Sequence, residues 1–181
     1  MGEIESAHSR LVGLSRLMAW LSTIGIALSP LVDAALYVWP GARDGLNFDV
    51  DHMGALLSAA VPLPYRLGAL VFSLAAEALT VWALWSLRGL FLRYAKGEVF
   101  SPKALRLLDN VAVALFAGVI VGFVMHAPIS LILSLGIHKP QISLDFGSGD
   151  AVTLFIAGAV LVIARVMNEA GRIAEENAKF V

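Results

Sequence analysis

The sequence predicts an all-α membrane protein: four transmembrane helices in an antiparallel bundle, with both termini cytoplasmic. Three observations predict it. Hydrophobic residues make up 59% of the 181 residues, and the mean hydropathy is +0.80. A soluble globular chain is about 45–50% apolar. The excess is gathered into four long runs, each reaching the ~20 residues needed to cross a hydrocarbon core. The positive charges are divided unevenly between the two sides of those runs.

The spans are placed at residues 11–39, 66–91, 107–135 and 151–170. All are expected to be helices, because lipid offers no partner to an unpaired backbone group. The first and third exceed the minimum length, which predicts tilt or protrusion. Pro30 and Pro128 lie inside them; each removes one backbone hydrogen bond and predicts a kink. Ten cationic residues fall on one side: Arg10, Arg16, Arg88, Arg93, Lys96, Lys103, Arg106, Arg165, Arg172 and Lys179. Arg43, Arg66 and Lys139 are the three on the other. The ten-to-three bias puts both termini and the 92–106 loop inside. Tyr37, Trp39 and Tyr65 suit the outer interface, Trp85 and Tyr94 the inner one. The start "MGEIESAHSR" lacks the layout of a cleaved signal peptide. Gly2 and Ser6 match a short acylation pattern that adds little to four spans.

The inner loop "YAKGEVFSPKAL" is clearly punctuated. Gly97 suits a left-handed helix end. Ser101 is a good N-cap and Pro102 fits the first helical position. Spans two and three should thus form a tight antiparallel hairpin. The outer loops, 40–65 and 136–150, are longer. "LNFDV" and "QISLDF" alternate apolar and polar residues and can pair as a small β-ribbon. "HMGALLSAA" reads as a short interfacial helix.

Two stretches resemble a known family. One is "YAKGEVFSPKALRLLDNVAVAL", with Gly97 and Phe100 in its turn. The other runs from "ISLDFGSGD" to the ending Glu175-Glu176-Asn177 before Phe180-Val181. Together they resemble the bacterial domain-of-unknown-function 2975 family, small four-span inner-membrane proteins. The likeness covers the second half well, and the first half only by span count and order. It implies a single multi-pass domain in the bacterial inner membrane. It also implies a cytoplasmic partner such as a small helix-turn-helix regulator. It carries no catalytic residues.

Polar residues within the spans are the candidate sites. Glu77 and His126 sit at matching depth by residue count, about 16 and 13 Å from the outer ends at 1.5 Å per residue. They are expected to form an intramembrane polar pair, with Ser73, Thr80 and Ser130 in support. An unpaired charge at such depth costs about 2.5–3.5 kcal/mol on insertion scales. The pair serves either interhelical packing, worth about 0.6–2 kcal/mol, or a proton- or cation-sensitive role. Asp33 and Arg66 are expected to form an outer ion pair. Asp109, Arg165 and Asn168 form an inner clamp, with Arg165 pairing or snorkelling. Ala114, Gly118 and Gly122 make a small-residue stripe for packing or for a homodimer. Arg93, Lys96, Lys103, Arg106, Arg172, Glu175 and Glu176 are the candidates for binding a cytoplasmic partner. On the tail helix, Val166, Ala170, Ile173 and Ala174 share one apolar face.

Several functions are disfavoured. The net charge of −1 gives no basic field for direct nucleic-acid binding. The absence of cysteine removes thiolate catalysis and cysteine-ligated metals. His8, His52, His126 and His138, with Asp49, Asp51 and Asp145, match no zinc spacing. No phosphate loop, dinucleotide fingerprint or nucleophile elbow is present. The expectation is a non-enzyme with no cofactor or metal. It is a regulatory membrane protein first, a small proton- or cation-coupled transporter second, an accessory subunit of a larger complex third.

Overall fold

In the computed structural model, the described residues are 2–39, 60–138, 140–144 and 146–178. Side chains are described over 10–39, 60–138, 140–144 and 146–173. Among the described residues are four helices and no strand: α1 Gly2–Val38, α2 Leu63–Tyr94, α3 Pro102–Gly136 and α4 Ser148–Ala178. All four contain a stretch long and apolar enough to cross a membrane. Each is longer than its expected span, because the helices continue beyond the apolar runs. α1 and α3 run through Pro30 and Pro128 without interruption.

The ends of α2 and α3 follow from their residues. Gly97 has φ +78°, a conformation open to glycine without a Cβ clash. Its N–H donates to the Tyr94 carbonyl and that of Glu98 to the Arg93 carbonyl, both at 3.0 Å. This pair of bonds is the Schellman closure of a helix C-terminus. Arg93 Nη1 also reaches Glu98 Oε2 at 2.8 Å. The Ala104 N–H donates to Ser101 Oγ at 3.2 Å, so Ser101 caps α3 ahead of Pro102. At the start of α4, the Gly147 N–H donates to Asp150 Oδ2 at 2.9 Å.

The chain divides into two compact units. One comprises Met1–Ile26, Val81–Phe116 and Leu154–Val181, the other Ala27–Thr80 and Ala117–Thr153. The first unit is packed through small residues: Ala19, Ala83, Ala104, Ala112, Ala114, Ala157 and Ala164 are buried. Leu90, Leu105 and Val111 are buried with them, while the bulkiest side chains turn outward, Trp20 70% and Phe155 78% exposed. Small inside and large outside is the pattern of helices that approach closely and face lipid. Within this unit α1 meets α2 where Gly25 faces Leu84, and α2 meets α3 where Gly89 faces Leu107. α4 meets α3 where Gly171 faces Leu105.

The second unit has a larger-residue core: Tyr37, Val61, Ala69, Ile129 and Leu133, flanked by Leu70, Met125, Ile132 and Ile137. Tyr37 thus belongs to a core and is 5% exposed, whereas Trp39, 71% exposed, is free to mark an interface. Gly68 faces Ile132 and Gly118 faces Leu79. One number rises as the other falls, so α2 and α3 run antiparallel here.

The expected β-ribbon is corrected by this unit. "LNFDV" lies outside the described residues, as does the expected interfacial helix. Residues 141–144, the described start of "QISLDF", form no strand; they lie along α3. The Gln141 N–H donates to Ser134 Oγ and the Ser143 N–H to Ser130 Oγ, both at 3.0 Å. The two hydroxyls also approach the carbonyls of the same residues, at 3.1 and 3.3 Å. The spacings explain the fit. Four residues of helix rise about 6 Å, and two residues of extended chain span about 6.6 Å. Alternate residues of the loop therefore meet successive turns of α3. Both serines are 0% exposed.

Candidate functional site

The polar groups of the second unit converge on the α1–α2 seam, not on the α2–α3 seam. Ser73 Oγ on α2 donates to Asp33 Oδ2 on α1 at 2.7 Å. Further out, Arg66 Nη1 donates to the carbonyls of Tyr37 and Val38 at 3.4 and 3.2 Å. The guanidinium therefore occupies the C-terminal carbonyls of α1, where a cation is favoured by the helix dipole. Among the described residues Asp33 makes no ion pair. The expected Asp33–Arg66 pair is replaced by these two separate interactions. The reason is depth: Asp33 lies a full turn inward of the carbonyls that hold Arg66, about 6 Å along the axis.

Glu77 shares this seam. At about 100° per residue it lies within about 40° of Ser73 and Arg66 on the helical wheel, and about 160–180° from Gly68 and Leu79, which face α3. Its Oε1 is buried and has no hydrogen-bond partner. No hydrogen bond or ion pair joins it to His126 among the described residues. The register explains why. With Gly68 opposite Ile132 and Leu79 beside Gly118, His126 falls level with Ser73, about 6 Å along the axis from Glu77. α2 begins at Leu63 and α3 ends at Gly136, so counting inward from the expected span ends misaligned the two residues by one turn. Ser73, expected to support Glu77, bonds to Asp33. Thr80 is exposed. Ser130 belongs to the outer loop contact.

Ser29 is the residue that the sequence reading missed. Its Oγ is likewise buried without a partner. It lies one turn inward of Asp33, on the same face of α1. The signal was present as two matching words, "SPLVD" (Ser29 to Asp33) and "SLAAE" (Ser73 to Glu77). Each puts a serine and an acid one turn apart on one helix face. In antiparallel helices the words invert, so Asp33 meets Ser73 and Glu77 is level with Ser29.

In the first unit, Asn168 Nδ2 donates to Asp109 Oδ2 at 3.2 Å, which brings together two members of the inner clamp. Arg165 is exposed and takes no part in that bond. A second link was not foreseen: Arg88 Nε donates to Thr23 Oγ1 at 2.9 Å, with its guanidinium 5.8 Å from the Trp85 ring centroid. That distance suits a cation–π contact.

The partner-binding candidates lie in the same unit. A Cβ on Gly171 would stand 3.2 Å from Leu105 Cδ1 and 4.0 Å from the Phe100 carbonyl oxygen. The tail helix therefore rests on the start of α3, beside the loop. Lys96, Lys103, Arg106 and Arg172 are exposed, and Phe100 is 58% exposed. Arg172 pairs with Glu169 at 2.6 Å, and Arg93 with Glu98. Val166, Ala170 and Ile173 are exposed: α4 meets α3 through Ala164 and Gly171, leaving the apolar strip uncovered. The side chains of Ala174, Glu175 and Glu176 lie outside the described residues. Of the small-residue stripe, Ala114 is buried and Gly118 faces Leu79, while a Cβ on Gly122 would meet nothing within 4 Å. Asp49, Asp51, His52 and Asp145 lie outside the described residues; among the rest no three His, Cys, Asp or Glu gather as a metal site.

By the length and apolarity of its four helices the chain is a multi-pass membrane protein. Comparison with curated proteins and with solved structures finds no match. The model of one family of proteins of unknown function, DUF2975, matches residues 29–181, which include Ser29, Asp33, Ser73 and Glu77, and the chain belongs to that family.

Proposed function

We propose that the protein is a regulatory component of a bacterial inner membrane. It binds a cytoplasmic protein, such as a small helix-turn-helix regulator, and catalyses nothing itself. The observation that carries this reading is the seating of Gly171 on Leu105 and the Phe100 carbonyl. It joins the 92–106 loop and the α4 tail into one exposed surface, with Lys96, Lys103, Arg106 and Arg172 around Phe100 and Ile173. Aromatic and aliphatic anchors ringed by charge suit protein docking. The ten-to-three charge bias supports a cytoplasmic position for that surface.

The test is purification of the full-length protein in a gentle detergent from its native membrane. A variant carrying Lys96→Glu, Lys103→Glu and Arg106→Glu is purified in parallel. The reading expects a helix-turn-helix protein to accompany the wild type and to be lost from the variant, at unchanged melting temperature. Retention of no such protein, or equal retention by both, refutes it.

A further inference from the structure

The two Ser–acid words have unequal fates. At the outer level the serine and the carboxylate close on each other, Ser73 to Asp33 at 2.7 Å. At the inner level Ser29 Oγ and Glu77 Oε1 are both buried and both unpartnered. The same two chemical groups, on the same two helices, are paired at one level and unpaired at the other. Buried polar atoms are seldom left orphaned, and a carboxylate inside a membrane needs a partner. Among the described residues neither Asp33 nor Glu77 makes an ion pair. Arg66, three turns outward on α2, is held by the α1 carbonyls. His126 on α3 stands level with Ser73, and Asp150 at the start of α4 accepts from the Gly147 N–H.

We propose that the unpartnered oxygens of Ser29 and Glu77, with those of Asp33 and Ser73 one turn outward, bind one sodium ion. All four ligating side chains offer oxygen, the donor that hard cations select. A single positive charge leaves the seam less charged without demanding the six or more oxygens of a divalent ion. The site is distinct from the loop-and-tail surface and does not depend on a partner being bound there. It gives the α1–α2 seam an ionic input of its own.

The experiment measures the melting temperature of the full-length protein in detergent at one fixed pH. Sodium chloride is compared with choline chloride at equal ionic strength, for the wild type, Glu77→Gln and Ser29→Ala. A ligand that binds only the folded state raises the melting temperature with its concentration. Sodium at a hundredfold excess over its Kd should raise that of the wild type by about 5 °C or more. The response must vanish in Glu77→Gln and weaken in Ser29→Ala. In the wild type alone, labelling of Glu77 by a hydrophobic carbodiimide must fall as sodium rises. A wild type indifferent to sodium, or a response identical in Glu77→Gln, overturns the proposal and leaves a buried water as the occupant. Labelling indifferent to sodium overturns it as well, even where a variant fails to fold.

Discussion

Replacing Ser130 and Ser134 together by Ala should detach the outer loop from α3. Each hydroxyl receives one loop N–H, from Ser143 and Gln141, at 3.0 Å. Alanine nearly matches serine in volume, so no cavity opens and α3 keeps its backbone bonds. What is lost is the partner of each loop amide. An amide left buried and unsatisfied costs about 1–3 kcal/mol. Gln141 is exposed and Ser143 only half-buried, so water can reach the freed groups, and the lower end applies. The expected cost is about 1 kcal/mol for each single substitution and about 2 kcal/mol for the pair. Because both hydroxyls hold one segment, coupling between the two is also expected. The assay is amide hydrogen exchange over residues 140–144 in detergent, with thermal unfolding alongside. Exchange at 141 and 143 should accelerate together in the double variant and separately in the singles. Unchanged protection at both amides, with stability within about 0.5 kcal/mol of wild type, would show that the serines do not hold the loop.

Gly136→Ala should destabilise by about 1–3 kcal/mol through overpacking. The new Cβ would stand 2.9 Å from Val61 Cγ1 and 3.3 Å from the Pro62 ring. Gly122→Ala, with nothing within 4 Å, is the control and should not lower the melting temperature, since alanine favours the helix interior over glycine by about 0.5–1 kcal/mol. Reporter fusions after residues near 48, 98, 142 and 181 should read out, in, out, in; a C-terminal fusion reading outside refutes the orientation drawn from Lys and Arg.

The punctuation of the inner hairpin was legible residue by residue. Gly97 needs its positive φ, Ser101 reaches a backbone N–H three residues on, and Pro102 needs no donor at the first helical position. These are local effects, decided by a few neighbours in the chain. The extended character of "QISLDF" was legible for the same reason, since alternation reports backbone period. Its partner was not, because the fit of alternate loop residues to successive turns of α3 needs two elements already placed.

The same division runs through the seam. Composition and run length determined four membrane-crossing helices, because lipid tolerates no unpaired backbone and demands about 20 apolar residues per crossing. That Glu77 needs company followed from its depth alone. Which company it keeps did not. Counting inward from the span ends paired Glu77 with His126, and an error of one turn, about 6 Å, is enough to separate two side chains. The packing of α1 on α2 set the register instead, joining Asp33 to Ser73 and leaving Glu77 level with Ser29. Periodicity says which residues share a helix face; only the contacts between helices say what each face meets.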